Sequence, residues 1–330
     1  MAHQNVVLLI DPAKEMLEVL RSIKEGLPWK NRALSLLECR GYRYMLFHSN
    51  LSRRELVETL ESLSYGSKPA VETSKWFRKQ LSDYVDRLDD ISTFVDELES
   101  RKDEIVSEAY GKARRYLPES TRIEADIHLV IGGADAYGVN LLDTRAIVMD
   151  VGQFLSHLDE IVAMMAREIH HKAENRSREI YWRLRKDGPK DLGRVYSVIS
   201  ELIGEGVASL ATFPSGFAHK YSALEARINE EYEKVEDGIQ RVCQDITDER
   251  AEDILKALYA NAGPLYMVGC DMAKRIEDAF GRRELIAAIQ EPMLFFNTYR
   301  NAVGRSGEGY TFSRDTMKII RKLQREIDNM

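Results

Sequence analysis

Apolar residues recur mostly at intervals of three and four along this chain, the spacing of one helix face, and give way to strand-like runs in only three short places. The first is residues 6–10, a β-prone run. Asp11-Pro12 then offers an N-cap with proline at the first helical position. Met16, Leu17, Val19, Leu20 and Ile23 mark the inward side of a helix ending near Gly26. Helical spacing continues over residues 32–39, over 53–63 with Leu51-Ser52 as a cap, and over 74–90. Between Ile91 and Tyr116, the positions of Ile91, Phe94, Val95, Leu98, Ile105 and Val106 predict a long amphipathic helix or a helix pair, closed by Pro118.

The period changes at residues 122–131, which alternate in part and run into Gly132-Gly133, a strand followed by a turn. Residues 146–151 form a second strand, and the stretch between, through Tyr137 and Asn140, reads as a loop or hairpin. Helical spacing then returns. At about 100° per residue, Glu160, Met164, Arg167, Glu168 and His171 fall on one stripe, with Leu155, Leu158, Val162, Met165, Ile169 and Ala173 opposite. His170 points away from His171, towards the edge of the apolar face, so the two neighbours do not easily share a metal.

Residues 187–193 are a loop. A further helix carries Val195, Val198, Ile199, Leu202, Ile203, Val207, Ala208 and Leu210 around Glu205 and ends near residues 213–216. Helix is also predicted for 222–260, for a segment opened by Gly263-Pro264 and ended by Gly281, for 284–289, and for the charged stretch 313–327. The fold class is α+β, predominantly α-helical, with a small sheet packed beside the helix that bears Glu168 and His171. The domain reading is a helical N-terminal region, 1–118, followed by a region 119–330 with the sheet and the C-terminal helices, or one continuous domain.

At 330 residues with 44% hydrophobic content, the chain can bury a sizeable core. Lys+Arg 47 against Asp+Glu 54 leaves a net charge of −7 without single-sign blocks, so nothing suggests a nucleic-acid surface. The arginine clusters near 176–178 and 183–186 read as solvated helix faces. Cys39, Cys243 and Cys270 are odd in number and widely spaced, as reduced thiols of a cytoplasmic protein would be. Residues 6–10 are too short for a signal-peptide core or a membrane span. Trp29 and Trp76 read as core or groove wall, and His128 as a packed strand histidine.

The candidate chemistry lies at Arg167-Glu168-Ile169-His170-His171, an H-E-x-x-H sequence whose leading histidine is replaced by arginine. In the intact motif two histidines four apart grip Zn²⁺ from one helix face, and the glutamate acts as general base. Glu205 is a second signal, because a carboxylate on so apolar a helix needs a partner or goes neutral. A metal, His171 and Arg167 are its candidates. Glu168-x-x-His171 also has the E-x-x-H spacing of di-iron bundles, but those need a second such pair and the sequence has none.

These pieces resemble bacterial domain families classed as zincin-like metallopeptidases. There, D-P-x-x-E-L-L and K/H-P-A-V precede a β-hairpin, H-E-x-x-H, a Glu-Gly on the next helix, and an aromatic-x-x-G helix. This chain has Asp11-Pro12-Ala13-Lys14-Glu15-Met16-Leu17, Lys68-Pro69-Ala70-Val71, Arg167 to His171, Glu205-Gly206 and Tyr266-Met267-Val268-Gly269. The resemblance implies zinc as cofactor, Glu168 as base, His171 and Glu205 as metal ligands of gluzincin type, and Tyr266 as donor to the developing oxyanion. It also implies a peptide or protein as substrate or partner, with an edge strand above the metal that pairs with extended substrate.

The departure is Arg167, which has no lone pair for a metal. Either its guanidinium takes the metal's place in an ion pair with Glu205 or Glu168, and hydrolysis is lost, or a residue such as His128, His157 or His219 completes the coordination. Two rival readings stand beside the peptidase: a non-catalytic peptide- or protein-binding module on the same scaffold, and a helical structural protein in which His171 and Glu205 form a buried pair.

Overall fold

The computed structural model describes residues 5–65, 73–133, 136–138, 145–173, 175–212, 227–244, 246–259 and 263–330. The Lys68 to Val71 motif, His219 and the stretch 213–226 lie outside them. The chain forms two compact units that interleave in sequence: residues 1–111 with 122–172, and residues 112–121 with 173–330. The sheet thus belongs with the N-terminal helices. The fold is α+β and predominantly helical, with sixteen α-helices and four strands among the described residues.

The first unit holds β1 (Asn5–Leu9), α1 (Asp11–Glu25), α2 (Lys30–Leu36), α3 (Arg40–His48), α4 (Arg53–Tyr65), α5 (Thr73–Asp86), α6 (Leu88–Ser100) and most of α7 (Lys102–Arg114). After these come β2 (Glu124–Val130), β3 (Ala136–Gly138), β4 (Ala146–Asp150), a 3-10 turn (Val151–Phe154) and α8 (Leu158–Ala173). The predicted inward residues of α1 are all buried, and Gly26 ends the helix in the left-handed conformation, φ 70°. Ile10, rather than Asp11, occupies the N-cap, and Asp11 begins the helix. Ser52 and Glu55 form a reciprocal capping box at the start of α4, with Glu55 N–H on Ser52 Oγ at 3.1 Å and Ser52 N–H on Glu55 Oε2 at 2.7 Å. The 91–116 segment resolves into the helix pair α6 and α7.

The sheet has the order β1-β2-β4-β3. β1 pairs with β2 in parallel, Leu8 opposite Ile127, and β2 pairs with β4 in parallel, His128 opposite Val148. Only β3 runs antiparallel, Tyr137 opposite Val148. The hairpin is therefore β3 with β4. The strands at 124–130 and 146–150 run the same way, and all five residues of β4 are buried, as a covered parallel strand requires. His128 is a packed strand histidine: its ring meets Tyr44 edge-on at 5.5 Å, and its Cβ faces Gly41 of α3.

The carboxyl ends of β2 and β4 are tied together by Asp150, which is fully buried. Its Oδ1 accepts from the backbone N–H of Gly132 at 3.2 Å and of Gly152 at 3.1 Å. Its Oδ2 accepts from Tyr84 at 2.9 Å and Gln80 at 2.8 Å, so α5 is locked onto the sheet. Gly132 sits at φ +81°, and a Cβ on Gly152 would lie 2.4 Å from the Tyr84 ring. Burial pushes the Asp150 carboxyl up to about 7, against the pull of its hydrogen bonds.

The second unit is helical: α9 (Asn175–Asp187), α10 (Lys190–Thr212), α11 (Ile228–Val242), α12 (Asp248–Tyr259), α13 (Pro264–Phe280), α14 (Arg282–Ala288), α15 (Pro292–Ser306) and α16 (Arg314–Asp328). Its core runs through Val195, Ile199, Leu202, Tyr232, Ile239, Val268, Ile276, Phe295, Phe296 and Ile320. α10 lies against α13 so closely that a Cβ on Gly206 would stand 2.2 Å from the carbonyl carbon of Gly269. Glu236, buried on α11, receives Tyr310 OH at 2.5 Å, Ser313 N–H at 2.8 Å and Thr316 OH at 2.5 Å, which fixes the start of α16.

Candidate functional site

α8 is more deeply embedded than a two-faced helix would be. Leu155, Val162, Met165, Ile169 and Ala173 are buried as expected, but Ile161, Ala166, Glu168 and His170 are buried too, and Arg167 and His171 are half-buried. Glu160 alone of the expected polar stripe is exposed. Arg167 Nη1 donates to Glu168 Oε1 at 2.6 Å, with the two side chains 11% and 6% exposed. Of the two carboxylates weighed as partners for Arg167, Glu168 is one that it meets. The rings of His170 and His171 are 6.3 Å apart and nearly perpendicular, 80°, consistent with their pointing apart. These residues all belong to the first unit.

Glu205 and Tyr266 belong to the second. Glu205 is 7% exposed on α10, and Tyr266 is half-buried in the first turn of α13. The Gly206–Gly269 approach explains why both glycines follow the residues in question: side chains at either position would hold the helices apart. Tyr259, at the end of α12, packs edge-on against Tyr266 with ring centroids 5.8 Å apart. Its hydroxyl is pushed well above its ordinary range by burial, by the charges of Glu201 and Glu205, and by a hydrogen bond to Glu201.

The cluster is thus Glu201, Glu205, Tyr259 and Tyr266. Sequence reading found two of the four; the i, i+4 spacing of Glu201 and Glu205 was the signal available for a third.

A family model described as "Putative zinc dependent peptidase (DUF5700)" matches residues 34–307. The chain belongs to this family. No curated protein and no solved structure matches it.

The family's description calls for zinc, so the donors on α8 decide whether this member fits. Arg167 offers no lone pair and carries a fixed positive charge, and an oxygen of Glu168 already accepts from it. Among the described residues no group of three His, Cys, Asp or Glu gathers that would hold a metal ion. Catalytic zinc typically takes three protein ligands, so the described donor set does not fit one. His128 lies among α3 residues and His157 is exposed ahead of α8. The three cysteines are free, and no described helix is long and apolar enough to cross a membrane.

Proposed function

We propose that the chain is a zincin-like metallopeptidase homologue whose metal-dependent peptide hydrolysis is impaired or lost because Arg167 stands where the first histidine ligand belongs. The Arg167–Glu168 ion pair carries the reading. A guanidinium one turn from His171 repels a divalent cation, and it engages the carboxylate that would take a proton from water. His171 and Glu205 are the residual metal ligands in this proposal, Glu168 the former base and Tyr266 the former oxyanion donor. The setting is a reducing, cytoplasmic one.

A second reading, a peptide- or protein-binding module, has support in β3. Among the described strands it lies at the edge of the sheet, and an extended peptide gains main-chain hydrogen bonds by adding to such an edge.

Zinc content after purification with zinc supplied, measured beside hydrolysis of unfolded casein, tests the proposal. The expected result is no stoichiometric zinc and no turnover in the wild-type chain, zinc uptake in Arg167→His, and loss of that uptake when His171→Ala or Glu205→Gln is added. Near-stoichiometric zinc in the wild type, lost on His171→Ala and accompanied by turnover, would overturn it. Arg167→His without any gain in zinc would show that residue 167 is not the ligand position.

A further inference from the structure

Away from the motif residues, the second unit contains a cleft of about 300 Å³ walled by α9, α10 and α12. Its floor is apolar: Val198, Val242 and Ala251 are buried members of the unit's core, and Leu255 lies beside them. Its rim is cationic, with Arg185, Lys190 and Arg194 against the two carboxylates Asp248 and Glu252.

Neither acid closes the cleft. Glu252 leans toward Lys256 at 3.8 Å. Asp248 takes Arg194 Nε and Nη2 on one oxygen, at 3.0 and 2.7 Å, but its side chain is 74% exposed. An ion pair that wet is screened by solvent and contributes little. Arg194 itself is largely covered and still has N–H groups beyond the two that Asp248 uses. Arg185 donates to Tyr181 OH at 2.6 Å and stands 5.9 Å over that ring, so it is held in place at the rim.

An apolar floor with a few convergent polar groups is the make-up of a small-molecule site, and about 300 Å³ is at the small end of such sites. A cavity of roughly 150 Å³ accommodates benzene. The space therefore suits one aromatic or branched side chain together with a charged head.

We propose that this cleft binds a small amphipathic carboxylate, an apolar group on the floor with its carboxylate at Arg194 and Lys190. The chemistry is that of the C-terminal residue of a peptide or of a free aryl acid. It does not depend on whether the chain retains hydrolytic activity.

The test is a titration of the full chain, methyl-labelled at valine and leucine, with N-acetyl-L-phenylalanine, its carboxamide, N-acetylglycine and phenylacetate. The acid should move the methyl resonances of Val198, Val242 and Leu255 and saturate, while the carboxamide and N-acetylglycine bind at least tenfold more weakly. The tighter of the two aromatic acids names the source. Arg194→Gln should weaken the acid about tenfold, and because it frees only an exposed carboxylate its spectrum should remain that of the folded protein; Lys190→Gln, at a solvent-facing position, provides an independent check with the same direction. Equal binding of acid and carboxamide, unmoved methyls at millimolar ligand, or unchanged affinity in both variants would overturn the proposal.

Discussion

Gly206→Ala sets two effects of opposite sign against each other. In a free helix interior, replacing glycine by alanine gains about 1 kcal/mol, because glycine surrenders more backbone entropy on folding. Here the new methyl would lie 2.2, 2.4 and 2.5 Å from the carbonyl carbon, Cα and carbonyl oxygen of Gly269. Carbon atoms in ordinary contact are about 3.5–4.0 Å apart, so α10 and α13 would have to separate by more than about 1 Å. All three obstacles are backbone, and none can rotate away as a side chain could. Overpacking of this kind costs about 1–3 kcal/mol, occasionally more, and the upper end applies. The net expectation is a loss of about 2 kcal/mol, which lowers the unfolding midpoint of a unit this size by roughly 4–8 °C. Gly304→Ala on α15 is the control, since a Cβ there meets nothing within 4 Å; it should gain up to about 1 kcal/mol. Calorimetry on both variants decides the matter. If Gly206→Ala matches the gain of Gly304→Ala, the close crossing that sets Glu205 beside Tyr266 is wrong.

Asp150→Asn should change the pH dependence of stability. The folded carboxyl titrates near 7 instead of its ordinary 3.8 because it is buried, so between pH 4 and 7 the folded state holds a proton that the unfolded chain releases. Stability from this group therefore falls as pH rises through that window, by up to about 4 kcal/mol, and levels off above it; urea unfolding at pH 4.5 and 7.5 should give a shallower fall in the variant, and parallel slopes would refute the assignment. Glu236→Ala strips the acceptor from Tyr310, Ser313 and Thr316 together. A loss of about 2–4 kcal/mol is expected at pH 7, read as a lower denaturation midpoint with early loss of amide protection in α16; unchanged protection there would remove Glu236 as the anchor. Burial raises the Glu236 carboxyl, but its hydrogen bonds outweigh that and hold it below the ordinary 4.5, so the wild-type advantage should fade as pH drops below about 4.5.

Strong periodicity carried the inward face of α1 from sequence to structure, though not its N-cap, and the short Ser52–Glu55 cap was legible because its chemistry is local. Strand direction was not. Residues 122–131 and 146–151 look like two arms of a hairpin when only their spacing is seen, yet β4 is apolar at four of five positions and buried at all five, the mark of a central parallel strand. β1 joins the same sheet from more than a hundred residues away, a pairing no local pattern encodes. α3 and α15 went unread: α3 has only nine residues and four buried positions, and α15 has a weakly segregated apolar face. At the candidate site the types of residue were visible, but Tyr259 was not, and Glu201 only through its i, i+4 spacing to Glu205, since their role comes from helices brought together by tertiary packing.

Arginine at position 167 has an electrostatic logic that the motif alone hides. Adjacent residues on a helix do not face each other, so the Arg167 side chain must bend back over its own helix to meet Glu168, and it does so where both are nearly dry. Removing one member of a buried pair costs up to about 3–5 kcal/mol, because the other charge loses that compensation. On the reading proposed above, a metal would supply positive charge to the carboxylates of the site in relatives that keep the first histidine, and the guanidinium of Arg167 compensates Glu168 in its place. Arg167→His should accordingly be less stable than the wild type in metal-free buffer, by a few kcal/mol, and should recover as zinc is added. At a hundredfold excess over its dissociation constant, zinc would return about 2.7 kcal/mol, roughly 5–10 °C in midpoint for a unit of this size, while the wild-type midpoint stays where it is. A variant as stable as the wild type without zinc, or one indifferent to zinc, would mean that Arg167 is not the cation standing in for the metal.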